Sequence, residues 1–212
     1  MFLANRLPRA DRGHIRHAVW SRRVPFTLLA AALVVAAACD DGARRSAQAE
    51  ARAKAEAEAA RERSEAQARL ESSRLAALWS YVEVPAGKGR QLTASIRSSD
   101  PVDTGGGEPH PVLLVFRDHP AWGRSSYLVL EAGDFNCGKC RVTVLADGAA
   151  NVIAAHRPRS NEAIAIFIDD ARALWTLATK ARQLQIEFPA RGGTRTAAFD
   201  VGGLDPAKMP GW

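Results

Sequence analysis

From Ala43 to Leu78 the chain reads ARRSAQAEARAKAEAEAARERSEAQARLESSRLAAL, without a proline or a glycine. Nearly every residue in this run is a strong helix former. Glu50–Lys54 and Glu65–Arg69 stand in the favourable i,i+4 order. Arg52–Glu56, Lys54–Glu58 and Arg61–Glu65 add reverse pairs, each worth about a few tenths of a kcal/mol. At about 1.5 Å per residue the run makes a rod of roughly 50 Å. Large apolar residues are missing until Leu70, Leu75 and Leu78, so an a/d seam is poorly supplied. A solvated single helix that spaces a domain is the expectation, and an alanine-seam coiled coil is its rival. Leu75, Leu78 and Trp79 mark where the rod meets a globular body.

Ahead of the rod, residues 1–23 are basic and Val24–Ala38 carries no charge. A run of about fifteen residues is shorter than the roughly 20 that a spanning helix needs, and it suits the apolar core of an export signal. It ends in Ala36-Ala37-Ala38-Cys39, which resembles the lipobox of bacterial lipoproteins. Ala36 stands where that family favours leucine. In that family the cysteine is diacylated, the peptide is cleaved before it, and the new N-terminus is usually acylated. The resemblance therefore implies lipidation of Cys39, with each chain adding about 0.8 kcal/mol of membrane affinity per buried CH₂. Asp40 resembles the retention signal that holds many such proteins at the inner membrane. The expected place is the bacterial cell envelope, at the periplasmic face of the inner membrane, with the outer membrane as the alternative. An ordinary signal peptide and an uncleaved short anchor remain open.

The net charge of +6 invites a nucleic-acid reading until it is located. Residues 1–38 hold six arginines against one aspartate, which accounts for five of the six charges. The remainder is nearly neutral, so nucleic acid is not an expected partner.

The organisation that follows is an export signal over 1–38, the anchor site and charged stalk over 39–78, and a β-rich domain over 79–212. Within the domain Leu92, Ala94 and Ile96 alternate with polar residues, as a half-buried strand does. Val112–Phe116 and Tyr127–Leu130 are continuous apolar runs, read as central strands. Val142 and Val144 lead to the turn signal Asp147-Gly148 and a return strand through Ala155. Ile164, Ile166 and Ile168 alternate, and Asp169 is placed to cap a helix with Ala171, Leu174, Trp175, Ala178 and Ala181 on one face. Strands around Leu184–Phe188 and Phe199 close the chain. About eight short strands and one packed helix predict a mainly β fold, an antiparallel sandwich or open barrel. A parallel strand–helix–strand unit at 164–188 would make it α+β.

The aromatic start at Trp79 and Tyr81, Ser95-Ile96-Arg97-Ser98, Phe135–Cys137, the late helix and the ending Phe199-Asp200-Val201-Gly202-Gly203-Leu204 resemble small uncharacterised envelope proteins of proteobacteria. That family carries no established activity.

Cys137-Gly138-Lys139-Cys140 admits a structural disulfide, a redox dithiol or half a zinc site. A strand pattern rather than a helix follows it, no second ligand pair exists for zinc, and Arg141 stands where haem attachment wants histidine. In an oxidising compartment a disulfide between Cys137 and Cys140 is expected. His110, His119 and His156 show no metal-ligand spacing, and Ser125 and Ser126 sit in no nucleophile elbow. Asp169-Asp170 reads as a helix cap. Trp122 and Trp212 are the exposed aromatic candidates. No cofactor, metal or catalytic constellation is expected. The functional expectation is a membrane-tethered envelope lipoprotein that binds an envelope protein or glycan. Its rivals are an inhibitor of a peptidoglycan-cleaving enzyme and a thiol-redox protein using Cys137 and Cys140.

Overall fold

The computed structural model describes residues 34–158 and 164–212, with side chains from Asp41 onward. Residues 1–33, the greater part of the export signal expected over 1–38, lie outside the described residues. Cys39 and Asp40 fall on the first helix, α1 (Val34–Ala77), but their side chains also lie outside. The proline-free run continues N-terminally into the alanines and valines before Cys39, so α1 is longer than the stalk alone. No helix among the described residues is long and apolar enough to cross a membrane.

The chain forms two compact units, divided at Glu58–Ala59 within α1. In the first, every described side chain from Asp41 to Glu58 is exposed, consistent with a helix that has no apolar face to bury. The second holds the last turns of α1, nine strands and a second helix. The strands are β1 (Trp79–Ala86), β2 (Gly89–Arg97), β3 (Leu113–His119), β4 (Gly123–Leu130), β5 (Lys139–Ala146), β6 (Ala149–His156), β7 (Ile164–Ile168), β8 (Leu184–Ala190) and β9 (Gly193–Phe199). Helix α2 (Ala171–Lys180) lies between β7 and β8 in sequence.

All nine strands join one sheet in the order β1-β2-β3-β4-β7-β6-β5-β8-β9, and each pairing is antiparallel. The domain is thus mainly antiparallel β with packed helix, an α+β arrangement on a single open sheet rather than two stacked ones. Past the end of β2, Ser99 donates its N–H to Ala198 O of β9 at 2.7 Å, drawing the two ends of the sheet together. No parallel unit forms at 164–188. β7 sits between β4 and β6, and β8 between β5 and β9, because α2 carries the chain across the core before β8 begins.

Alternation builds one core. Ala94 and Ile96, Leu114 and Phe116, Ile166 and Ile168, and Leu184, Ile186 and Phe188 are all buried, while α2 adds Leu174, Trp175 and Ala178. Phe116 is its centre, with Trp79 at 6.2 Å, Trp175 edge-on at 5.1 Å and Trp212 edge-on at 5.5 Å. Trp212 therefore packs on the core and is not an exposed aromatic. The indole N–H groups of Trp79 and Trp212 are buried with no hydrogen-bond partner among the described residues, a local cost of about 1–3 kcal/mol each that the aromatic packing offsets.

β1 is a strand beyond the eight expected. It is an edge strand with Val82, Val84 and Pro85 exposed, so its inward signal is confined to Trp79 and Tyr81. Proline is tolerated there because the edge N–H has no ladder partner to lose. Leu75 meets the domain where expected. A Cβ on Gly203 would fall 2.2 Å from the Leu75 backbone carbon, so only glycine admits α1's last turns at this spot.

Candidate functional site

One face of β3, β4, β7 and β6 carries the chemistry. Register aligns Val115 with Tyr127, Tyr127 with Phe167, Phe167 with His156, and His156 with Lys139. Directly paired residues of antiparallel strands share one face. The result is a ladder: Tyr127 and Phe167 rings lie 5.0 Å apart, and Phe167 and His156 lie 5.8 Å apart and nearly parallel.

Two residues along β3 from Val115, Arg117 lays its guanidinium over this ladder. Its central carbon is 5.4 Å from the Tyr127 ring, 5.9 Å from Phe167 and 5.4 Å from Trp122. Arg117 Nε donates to Ser125 Oγ at 3.2 Å. Each cation–π contact is worth about 0.5–1 kcal/mol at such sites, enough to hold the guanidinium plane in place. No acceptor among the described residues faces its Nη atoms. Burial raises the Tyr127 phenol above its ordinary pKa, and the Arg117 charge offsets only part of this.

Trp122 stands 71% exposed at the tip of the β3–β4 hairpin. Its ring stacks on His119 at 3.9 Å, within 12° of parallel. His119 Nδ1 accepts from the N–H groups of Ala121 and Trp122 at 3.1 and 3.3 Å. The imidazole thus ties off the turn that presents Trp122. Both strands run further toward this tip than the apolar runs suggest, through Asp118 and His119 and from Gly123. Pairings such as Asp118 with Arg124, an ion pair at 3.9 Å, extend the ladder.

At the other end of the ladder lies the cysteine pair. Cys137 and Cys140 are joined in a disulfide, S–S 2.02 Å. Cys137 is buried and Cys140 half-buried opposite Ala155. Arg157 donates its N–H to Gly138 O at 3.1 Å and pairs with Asp134, pinning the loop to the end of β6. A cleft of about 450 Å³ lies beside it, between Lys139, Cys140 and His156. His156 Nδ1 donates to Asp169 Oδ1 at 2.5 Å across this cleft.

That pairing overturns the expected cap. Asp170, not Asp169, caps α2, accepting from Ala173 N at 2.8 Å, while Asp169 faces His156. The other sequence candidates are scattered. Ser126 is fully buried against Ile168 O, and His110 sits 3.7 Å from Glu131. No cluster of three or more His, Cys, Asp or Glu able to hold a metal is found among the described residues. No nucleophile in the described residues is aligned with a base. The arrangement can instead stack against a flat ligand and donate hydrogen bonds to an anionic group through Arg117, Lys139 and the exposed Trp122 indole.

No family model, curated protein or solved structure matches the chain.

Proposed function

We propose that this chain is a membrane-tethered binding module of the bacterial cell envelope, not an enzyme. Cys39 carries the lipid and Asp40 directs retention at the inner membrane. The charged helix acts as spacer, and the sheet domain holds an envelope component on its aromatic–arginine face. The ligand class is a ring-bearing, anionic envelope glycan, which offers flat sugar faces to Trp122 and Tyr127 and carboxylates to Arg117. The observation that carries this is the exposure of Trp122 beside a guanidinium that lies within 5.9 Å of three ring centres. Surface aromatics and arginines in such settings are the usual anchors of binding energy.

The test is co-sedimentation of the full chain with purified cell-wall glycan, using Trp122→Ala and Arg117→Ala. Trp122 is outside the core, so Trp122→Ala should melt like the wild type, while Arg117→Ala gives up its ring contacts and should melt lower but stay folded at the assay temperature. Retention should fall at least about tenfold in each, the loss of roughly 1.4 kcal/mol expected for one good anchor. Wild-type retention in both variants would rule out this face. A second reading, thiol redox at Cys137 and Cys140, draws on the His156–Asp169 pair beside the disulfide. It requires the bond to cycle in mild reductant.

A further inference from the structure

A second surface lies away from the aromatic face. β6 pairs with β5 along its whole length, but with β7 only through Ala155–Ile168 and His156–Phe167. β7 stops there because Asp169 and Asp170 turn the chain into α2. The last backbone bond on this side is Asp169 N–H to Ala154 O at 2.9 Å. In a strand the N–H and C=O of one residue point the same way, and alternate residues share that direction. Ala154 faces the β7 side, so Val152 and Ala150 direct their backbone groups there too, with no strand beside them among the described residues. An open edge of this kind is a ready template for another strand.

The space beside that edge is a groove of about 690 Å³, bounded by Asn151–Ala154 and by Ala173, Thr176 and Leu177 of α2. α2 turns Leu174, Trp175 and Ala178 into the core, which leaves Ala173 and Leu177 half-buried along the groove. Val152 is 60% exposed. The lengths agree: ten residues of α2 span about 15 Å, and five extended residues span about 17 Å. Two charged side chains line it, Asp170 and Arg172. The Asp170 carboxylate is held by the Ala173 N–H as the helix cap and the Thr176 hydroxyl donates to Arg172 O at 2.9 Å, while the Arg172 guanidinium has no acceptor among the described residues. The groove therefore offers apolar walls, a row of backbone donors and acceptors, and at one end an unengaged Arg172 guanidinium beside the capping Asp170.

We propose that β6 and α2 receive an extended acidic peptide segment of a partner polypeptide, added as a strand in the lane that β7 leaves empty. Main-chain bonds to Val152 and Ala150 supply the affinity, alternate apolar side chains meet Leu177 and Ala173, and a carboxylate pairs with Arg172. The groove shares none of these residues with the aromatic face, so either surface can fail its test without the other.

The experiment selects a displayed random heptapeptide library on the full chain, then measures the enriched peptides against Arg172→Glu and Val152→Pro. Enriched sequences should alternate apolar residues and carry an acid. They should slow hydrogen exchange at the Val152 amide and bind Arg172→Glu at least tenfold more weakly. Arg172 is exposed and keeps the test decisive if Val152→Pro fails to fold. No enrichment, or peptides indifferent to Arg172→Glu and leaving Val152 exchange unchanged, would overturn the proposal. Slowed Val152 exchange on self-association, without peptide, would also overturn it in favour of a second copy of this chain.

Discussion

Tyr127 shows how one residue carries both the face and a pH signature. Burial raises its phenol above the ordinary pKa, with Arg117 opposing in part, and burial raises Tyr81 against a hydrogen bond from Asp205 N. A group whose folded pKa is raised favours the folded state fully below its unfolded pKa, about 10 for tyrosine. That contribution is lost as pH rises through the folded value. Urea midpoints should hold steady below about pH 10 and decline above it. Tyr127→Phe should decline less steeply, and an unchanged slope would place the titration elsewhere. None of this was visible from Tyr127 as a letter in an apolar run. The alternation located it on a strand, but which charge lies beside it depends on register between β3 and β4.

At the scale of elements, two joints invite substitution. Gly203 admits α1's last turn because a Cβ there would overlap Leu75 backbone. Gly203→Ala should cost about 1–3 kcal/mol, as overpacking does, and circular dichroism should show the loss concentrated in helix signal as the terminal turns detach. Gly202, whose Cβ would meet Leu75 Cδ1 at 3.4 Å and the Arg182 backbone at 3.6 Å or more, all ordinary van der Waals contacts, should tolerate alanine. The disulfide is the second joint. A four-residue loop yields only about 2 kcal/mol of chain-entropy stabilisation. Replacing Cys137 and Cys140 by serine should therefore lower the melting temperature by roughly 4–8 °C without unfolding the domain. Thiol alkylation in mild reductant separates the two roles, since a structural pair stays protected while a redox pair takes up label. The helix α2 was legible from its period, yet its cap was not. Asp169 and Asp170 are equally good candidates until the fold brings His156 to one of them.

For the whole molecule the decisive question is attachment. Cys39 lipidation predicts that labelled fatty acid enters the wild type and not Cys39→Ala, and that the variant leaves the membrane fraction for the soluble one. Label in both, or in neither, would remove the tether and with it the spacer role of the charged helix.

The amino-acid order alone determined what depends on neighbours along the chain. It predicted the helix from the proline-free run, the strands at 92–96 and 164–168 from period two, the hairpin at Asp147-Gly148, and the cysteine pair from spacing and expected compartment. The turn is present with Asp147 at φ 45° and Gly148 at φ 90°. Asp147 also accepts from the N–H groups of Arg182 and Gln183, a bond across the fold that no local rule foresees. β1 escaped notice because an edge strand buries too little to alternate. The aromatic ladder and the open edge of β6 were decided by tertiary structure. Arg117, Tyr127, His156 and Phe167 lie on four strands whose order and register are set by packing around Phe116. The β6 edge stays open only because α2 begins where β7 would have continued. Period and composition describe single segments, whereas a site is made where separate segments are held side by side.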